Sequence, residues 1–562
     1  MKEKRRKGYE QREAEERLKR EREKRQMSRR ERKEADRQDK RREKKKRARN
    51  KEFARVTYIF VALFIAMMGY ISYFNVVKSR DIISSPYNKR QDSYADRVIR
   101  GKILDRNGNV LAQTNVAEDG TETREYPYNN IFAHVVGYTA QGKSGLESVS
   151  NFELLTSNAF FVDKLKNEFQ DKKNQGDNVV TTLDTNLQEA AYDALGSNKG
   201  AVVVMDPSTG KILAMVSKPD FDPNTVSQNW NELSKSEDSV LLNRATQGQY
   251  APGSTFKIVA ATAGVMEGVV GAYDTINCTG KFQLIPPDVN CWIYSERYKS
   301  GSHGSLTLSQ AITESCNFYF NTVGYMLGKT SDFTNLTPET DADGNVVQSS
   351  TYNDAQAIST LTKYAAMYGF DANTGIEIDE TAPHVSTADG ARTAMGQAGN
   401  TFTTSQLSRY AATIANNGTC YDLTLLDRIT DSDNNTLEEP EPVVHSTVDL
   451  SSDLWDVIHS GMNGVYQNNA AFTDIKSSFN MAGKTGTAQE NQDKPNHALF
   501  IGYAPYDTPE IAMAVRITNG YSSTNAASVA KDIVSYYFKL KDESDIITNT
   551  AANVNVSNSF AD

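Results

Sequence analysis

The sequence predicts an α+β protein in which one antiparallel sheet, covered by helices, stands on a membrane-proximal pedestal tethered by one transmembrane helix. Three observations carry that expectation. Residues 56–77 are an uncharged run of 22 residues, β-rich runs sit at both ends of the segment 181–541, and helical patterns fill the stretch between them. Strands at both ends of a helix-rich segment are satisfied by one sheet with helices packed on its faces.

The head, residues 1–55, holds 27 Lys/Arg and 13 Asp/Glu, whereas the rest of the chain holds 35 and 58, so the net charge of −9 conceals a basic head on an acidic body. Opposite charges recur at helical spacing, as in Glu16/Arg20 and Glu21/Arg25, which predicts a solvated charged helix. The sharper alternative is contact with anionic lipid or nucleic acid. No aromatic or glycine-rich recognition pattern accompanies the charge, which argues against nucleic acid.

From Val56 to Val77 the chain is long enough as a helix to cross ~30 Å of hydrocarbon. Tyr58, Tyr70 and Tyr73 lie toward its ends, where interfacial aromatics belong. The preceding basic region is too long for a cleaved signal peptide. Lys/Arg crowd the N-terminal flank, so a single-pass signal anchor is expected, with residues 1–55 cytoplasmic and the body extracytoplasmic.

Residues 78–180 mix short apolar runs with polar loops and are expected to form the pedestal. Residues 185–195 read as a helix, followed by GAVVVMD and KILAMVS around Pro207-Ser208-Thr209-Gly210, a hairpin signature. A second hairpin is expected from HALFIGYAP (497–505) and EIAMAVRI (510–517), with a helix over 525–540. The polar tail 542–562 has the composition of a disordered segment.

Four cysteines do not make a disulfide scaffold. Cys278 and Cys291 could pair across a short loop; Cys316 and Cys420 read as lone buried thiols. The histidines (134, 303, 384, 445, 459, 497) show no H-x-x-H spacing, so neither a metal site nor a cofactor is expected.

Serine acyl transfer needs a nucleophile, a base, a proton relay and an oxyanion hole. Ser254-Thr255-Phe256-Lys257 supplies the first two if it opens a helix, because residues i and i+3 share a face. A lysine buried there loses affinity for its proton and can act as general base. Ser315-Cys316-Asn317 follows in the helical stretch 306–327, and Lys484-Thr485-Gly486-Thr487 precedes the apolar run at His497. Each motif has a decoy: Ser208/Lys211, Ser528/Lys531, Ser432-Asp433-Asn434 and Lys299-Ser300-Gly301. Order and context separate the two sets.

The ordered set S-x-x-K, S-x-N, K-T-G resembles that of the class B penicillin-binding proteins, in the short form without PASTA repeats. The resemblance extends to Arg100-Gly101-Lys102-Ile103-Leu104-Asp105-Arg106-Asn107-Gly108, to His497–Pro505, and to TSQLSRYAATIANNG after Gly396-Gln397. The chain departs from the family pattern at Ala398, in Gly396-Gln397-Ala398-Gly399, and at Thr404-Ser405. The resemblance implies a penicillin-binding, β-lactamase-like transpeptidase fold and a membrane-anchored peptidoglycan D,D-transpeptidase inhibited by β-lactams. It implies Ser254 as nucleophile, Lys257 as base, Ser315 as the proton relay with Lys484 holding the network's charge, and Asn317 as the group orienting Lys257 and the substrate. Thr485, Gly486 and Thr487 would line the substrate carboxylate, and the N–H groups of Ser254 and Thr487 the oxyanion hole. Substrates would be D-Ala-D-Ala stem peptides, and glycan strands would come from a SEDS-type membrane glycosyltransferase. Two alternatives stay open: a D,D-carboxypeptidase or β-lactamase-type hydrolase, and a non-catalytic cell-wall scaffold.

Overall fold

The computed structural model describes residues 2–26, 28–74, 78, 95–159, 161–170, 172–329, 336–489 and 494–541. The tail 542–562 and residues 75–77 of the expected membrane span lie outside them. The chain divides into two units, Met1–Ile83 and Ser84–Asp562.

The first unit is helical, with α1 (Lys2–Gln26) and α2 (Arg29–Tyr73). Ser28 begins α2 as a capping box, its backbone N–H donating to Glu31. Lys24 pairs with Asp36 and Asp39, and Lys46 with Glu13, so the opposite charges of the head meet between the two helices as well as along them. The C-terminal part of α2 is the apolar run, exposed throughout and the one described helix long and apolar enough to cross a membrane.

In the second unit the elements that build the site follow in order. First come β1 (Ile103–Leu104), β2 (Val110–Val116), β3 (Glu122–Glu125), β4 (Asn178–Thr181) and α3 (Thr185–Leu195). Next are β5 (Gly200–Met205), β6 (Ile212–Lys218), α4 (Lys257–Met266), β7 (Ile276–Cys278) and β8 (Gly304–Leu306). Then come α5 (Leu308–Thr313), α6 (Asn317–Leu327), α7 (Thr404–Ala415), β9 (Leu426–Thr430) and β10 (Thr436–Glu438). The chain closes with α8 (Ser452–Asn468), β11 (Ala482–Ala488), β12 (His497–Ala504), β13 (Ile511–Ile517) and α9 (Ser523–Tyr537).

The central sheet runs β11-β12-β13-β5-β6, antiparallel throughout, so strands from both ends of the segment do join, through β13 and β5. Both faces are covered. Val202 and Val204 point into one core with Leu187, Leu195, Met513 and Ile533, whereas Ala201, Val203 and Met205 point into the other with Phe256, Leu407 and Tyr410. That alternation is the two-residue period of a strand, and each large apolar side chain so buried contributes about 1.5–3 kcal/mol. The second core holds α4, which is apolar nearly all round and therefore has to be internal.

A second sheet runs β10-β9-β4-β1-β2-β3. Asp105, in the turn after β1, accepts from the backbone of Asn107 (2.8 Å) and Asn109 (2.7 Å) and from Thr185 Oγ1 (2.7 Å), tying that turn to the start of α3. β9 and β10 come from far along the chain to extend this sheet beyond β4.

Candidate active site

The loop before α4 is a 3₁₀ turn, Gly253–Phe256, and the α-helix proper starts at Lys257. Ser254 and Lys257 therefore straddle the junction, and Nζ lies 3.0 Å from Ser254 Oγ. Lys257 Nζ also donates to the Ser315 carbonyl (2.7 Å) and to Asn317 Oδ1 (2.8 Å), and lies 3.0 Å from Ser315 Oγ. Lys484 Nζ, from β11, donates to Ser315 Oγ at 2.9 Å and to the Thr485 carbonyl at 3.0 Å. Lys257, Ser315 and Lys484 are fully buried, and Ser254 is only 5% exposed. Two lysine side chains thus meet at one hydroxyl in a space with little water, where electrostatic interactions are strong.

The helical stretch 306–327 is not one helix. It breaks at Ser315, whose φ of 50° is left-handed, and α6 restarts at Asn317 with Cys316 as N-cap, its Sγ accepting from Tyr319 N–H. The break turns the Ser315 hydroxyl and carbonyl toward Lys257, which a continuous helix would not allow.

β11 passes close to the Gly253–Phe256 turn. A Cβ on Gly253, where φ is +55°, would lie 2.6 Å from the Thr487 carbonyl, and one on Gly486 would lie 2.9 Å from the Pro252 carbonyl. Both glycines permit that approach. Thr485 Oγ1 is buried and has no hydrogen-bond partner among the described residues. Ala398 holds a φ of 62°, a left-handed conformation at the very position where the family pattern has glycine.

The decoys fall elsewhere. Ser208 hydrogen-bonds Asp206 in the β5–β6 turn while Lys211 pairs with Asp427. Ser528 donates to the Thr524 carbonyl and Lys531 pairs with Asp532. Asp433 and Asn435 donate backbone N–H to Asp431 in a turn after β9.

The cysteine reading needs correcting. All four cysteines are free, so Cys278 and Cys291 do not pair, and Cys316 is not alone. Cys278, Cys291, His303 and Cys316 bring their donor atoms within 4.8 Å of one another, a set that could hold a metal ion. Attention to histidine spacing alone misses it; the signal is four Cys/His residues separated by 12, 11 and 12 others.

Residues 200–535 match the penicillin-binding protein transpeptidase domain, and residues 100–179 the penicillin-binding protein A dimerisation domain. The chain is 28% identical over 510 residues to the peptidoglycan D,D-transpeptidase PbpA of Mycolicibacterium smegmatis, covering 86% of this chain and 96% of that one. It is 26% identical over 486 residues to the peptidoglycan D,D-transpeptidase MrdA of Acinetobacter baumannii, covering 75% and 67%. Among solved structures, the imipenem acyl-enzyme complex of Mycobacterium tuberculosis penicillin-binding protein A superposes with a TM-score of 0.67 at 25% identity, over 80% of this chain and all of that one. With the matched transpeptidase domain spanning more than half its length behind a dimerisation domain, this chain belongs to the class B penicillin-binding proteins.

Proposed function

We propose that Ser254 is the acylated nucleophile of a peptidoglycan D,D-transpeptidase and that Lys257 is its base. The observation that carries this is the environment of Lys257 Nζ. As a neutral amine it has two N–H groups and one lone pair. The Ser315 carbonyl and Asn317 Oδ1 can accept its two N–H groups, and its lone pair then serves the Ser254 and Ser315 hydroxyls, each 3.0 Å away, so that it can take the Ser254 proton and pass it to Ser315.

Ser254 Oγ attacks the penultimate D-Ala carbonyl carbon and its proton passes to Lys257 Nζ. As the tetrahedral intermediate collapses, the proton moves through Ser315 Oγ to the amine of the departing D-Ala. Lys484 stays charged and stabilises the hydroxyl it touches. Thr485 and Thr487 take the terminal carboxylate, which would give Thr485 Oγ1 its partner. The N–H groups of Ser254 and Thr487 hold the oxyanion. An amine of a neighbouring stem peptide then displaces Ser254, forming the cross-link and returning the proton. A β-lactam mimics the D-Ala-D-Ala terminus and stops at the acyl-enzyme.

In this reading residues 78–180 are the pedestal and 181–541 the transpeptidase domain. The basic head stays in the cytoplasm by the positive-inside rule and the body is extracytoplasmic. A SEDS-type membrane glycosyltransferase supplies the glycan strands; failure to co-purify with any such enzyme of the host would remove that partner.

Intact-mass spectrometry of the protein after brief exposure to penicillin tests the assignment. One stable adduct in the wild type and none in Ser254→Ala is expected. No adduct in either would leave a scaffold, and a fleeting adduct with antibiotic turnover would leave a hydrolase.

A further inference from the structure

The two helices of the first unit fold back on one another as an antiparallel hairpin. Arg20 approaches Asp39 at 4.0 Å, Lys24 pairs with Asp36 and Asp39, and Lys46 pairs with Glu13 at 3.3 Å. Partners advance along α2 as they retreat along α1, residue for residue. Continued to its end, that register sets Lys2, eleven residues before Glu13, level with Thr57, eleven after Lys46. The uncharged run begins at Val56, so the start of α1 returns to the point where α2 becomes apolar.

That end of the hairpin is strongly basic. Residues 2–7 hold five Lys/Arg and one Glu, and residues 47–55 hold four Lys/Arg and one Glu. Arg47, Lys51 and Arg55 are exposed. A headgroup layer ~5–8 Å deep and one Debye length of ~8 Å beyond it reach about as far as Arg47, at a rise of ~1.5 Å per residue. The other end, Arg29 to Lys33, stands ~35–40 Å from Val56 by the same rise, outside the field of any headgroup. A nucleic acid would be met as well by either end. It would also be served by aromatics interleaved with the charge, and residues 1–55 hold only Tyr9 and Phe53.

We propose that this end of the hairpin is a basic collar that binds anionic phospholipid headgroups in the leaflet from which α2 departs. The first turns of α1 supply one side of the collar, and Arg47, Lys51 and Arg55 of α2 supply the other. Basic residues beside a membrane helix are drawn to anionic lipid in this way, and the attraction fades within a Debye length. The cross-helix ion pairs between Glu13 and Asp39 lie farther out, where they hold α1 to α2 and leave the collar to the lipid. α1 therefore works as a strut. Tied to α2 by ion pairs and to the leaflet by charge, it fixes the hairpin on the membrane and makes that placement depend on lipid composition. The proposal rests on the reading of α2 as the membrane anchor.

The test uses the full chain in nanodiscs, which leave both membrane faces open, made of phosphatidylcholine alone or with added phosphatidylglycerol. A glutamate-specific protease is applied, and cleavage after Glu3, Glu10 and Glu13 is followed by mass, relative to cleavage in the body of the same chain. In the anionic discs that cleavage is expected to be at least about tenfold slower than in the neutral ones, the difference closing as salt is raised. Lys2→Gln, Lys4→Gln, Arg5→Gln and Arg6→Gln together are expected to abolish the protection. Arg29→Gln, Arg30→Gln, Arg32→Gln and Lys33→Gln remove the same charge from the far end and are expected to keep it. Helix content and penicillin acylation are expected to be unchanged in both variants. Equal cleavage in the two kinds of disc, or protection lost equally in the two variants, would overturn the collar. So would an RNA oligonucleotide that protects the head in neutral discs while lipid charge has no effect. A chain that fails to enter the discs would remove the anchor and the proposal with it, whereas insertion without any lipid dependence removes the proposal alone.

Discussion

Lys484 donates to Ser315 Oγ across 2.9 Å although the two residues lie 169 positions apart in the chain. The sheet delivers that contact: β11 sits at its edge, paired with β12 in a register that sets Lys484 opposite Ile501. Lys484→Ala is expected to lower the rate of penicillin acylation by about 10²–10³, the range for a removed electrostatic donor in a preorganised site. Lys484→Arg is expected to rescue little, because a planar guanidinium does not fit a slot shaped for an ammonium. Stopped-flow acylation beside a thermal melt checks this; an alanine variant that acylates within about threefold of wild type would take Lys484 out of the network.

Gly486→Ala probes how closely β11 passes the Gly253–Phe256 turn. The new Cβ would meet the Pro252 carbonyl and Thr255 Cγ2, each at 2.9 Å. Overpacking of this kind costs about 1–3 kcal/mol, and displacing the strand by a fraction of an ångström slows acylation by about 10–100-fold. The expected result is a well-folded protein with a modestly lower Tm and a much lower acylation rate. Equal acylation would mean the strand can retreat without disturbing Lys484.

These two contacts also show what was legible in the sequence. The hairpins of the central sheet were, because each is local and alternates with the strand period; so were Ser254, Lys257, Ser315, Asn317 and Lys484 as an ordered set. The break at Ser315 was not, since apolar residues run on at helical spacing through 306–327 and nothing local forces a serine to a φ of 50°. The recruitment of β9 and β10 to the sheet beside β4 was not, because pairing between Ile429 and Val179 is set by tertiary packing and leaves no short-range trace. The Cys/His cluster left a trace in its even spacing, but only the fold shows that the four side chains meet.

Arg100, which opens the Arg100–Gly108 motif, has a structural role. Its Nε donates to Glu147 Oε2 at 2.6 Å, and Arg124 Nε donates to Glu147 Oε1 at 2.7 Å. Glu147 is fully buried; burial alone would raise its pKa, but the two guanidinium groups win and hold it below the usual carboxylate range. Glu147→Ala leaves both cations without their anion and is expected to cost about 3–5 kcal/mol, read by denaturant unfolding, with acylation of the folded fraction unchanged. Because the folded pKa lies below the unfolded one, the stabilisation is present above the ordinary carboxylate range and is lost as pH falls from that range through the lower folded value. A variant as stable as wild type would show that the cluster contributes nothing net.

His134 gives the chain a second, milder acid sensitivity. Burial pushes its imidazole down to about 4, with Asp220 opposing and Arg244 assisting, and Nε2 sits 2.8 Å from the Val240 carbonyl, the geometry of a neutral ring donating its proton. His459, stacked on Trp455 and beside Tyr503, is also lowered to about 4 by burial. In the unfolded chain both titrate near ~6.5. Between those values the unfolded state binds more protons than the folded one, so stability is complete above the unfolded value and declines as pH falls toward the folded value. At about pH 5 each histidine accounts for a loss of ~2 kcal/mol relative to neutral pH. His134→Gln keeps an N–H donor and removes the titration, so its Tm is expected to drop less than that of wild type between neutral pH and about pH 5. An identical drop in the two proteins would mean that His134 is protonated in the folded state and that the neutral buried ring is the wrong description.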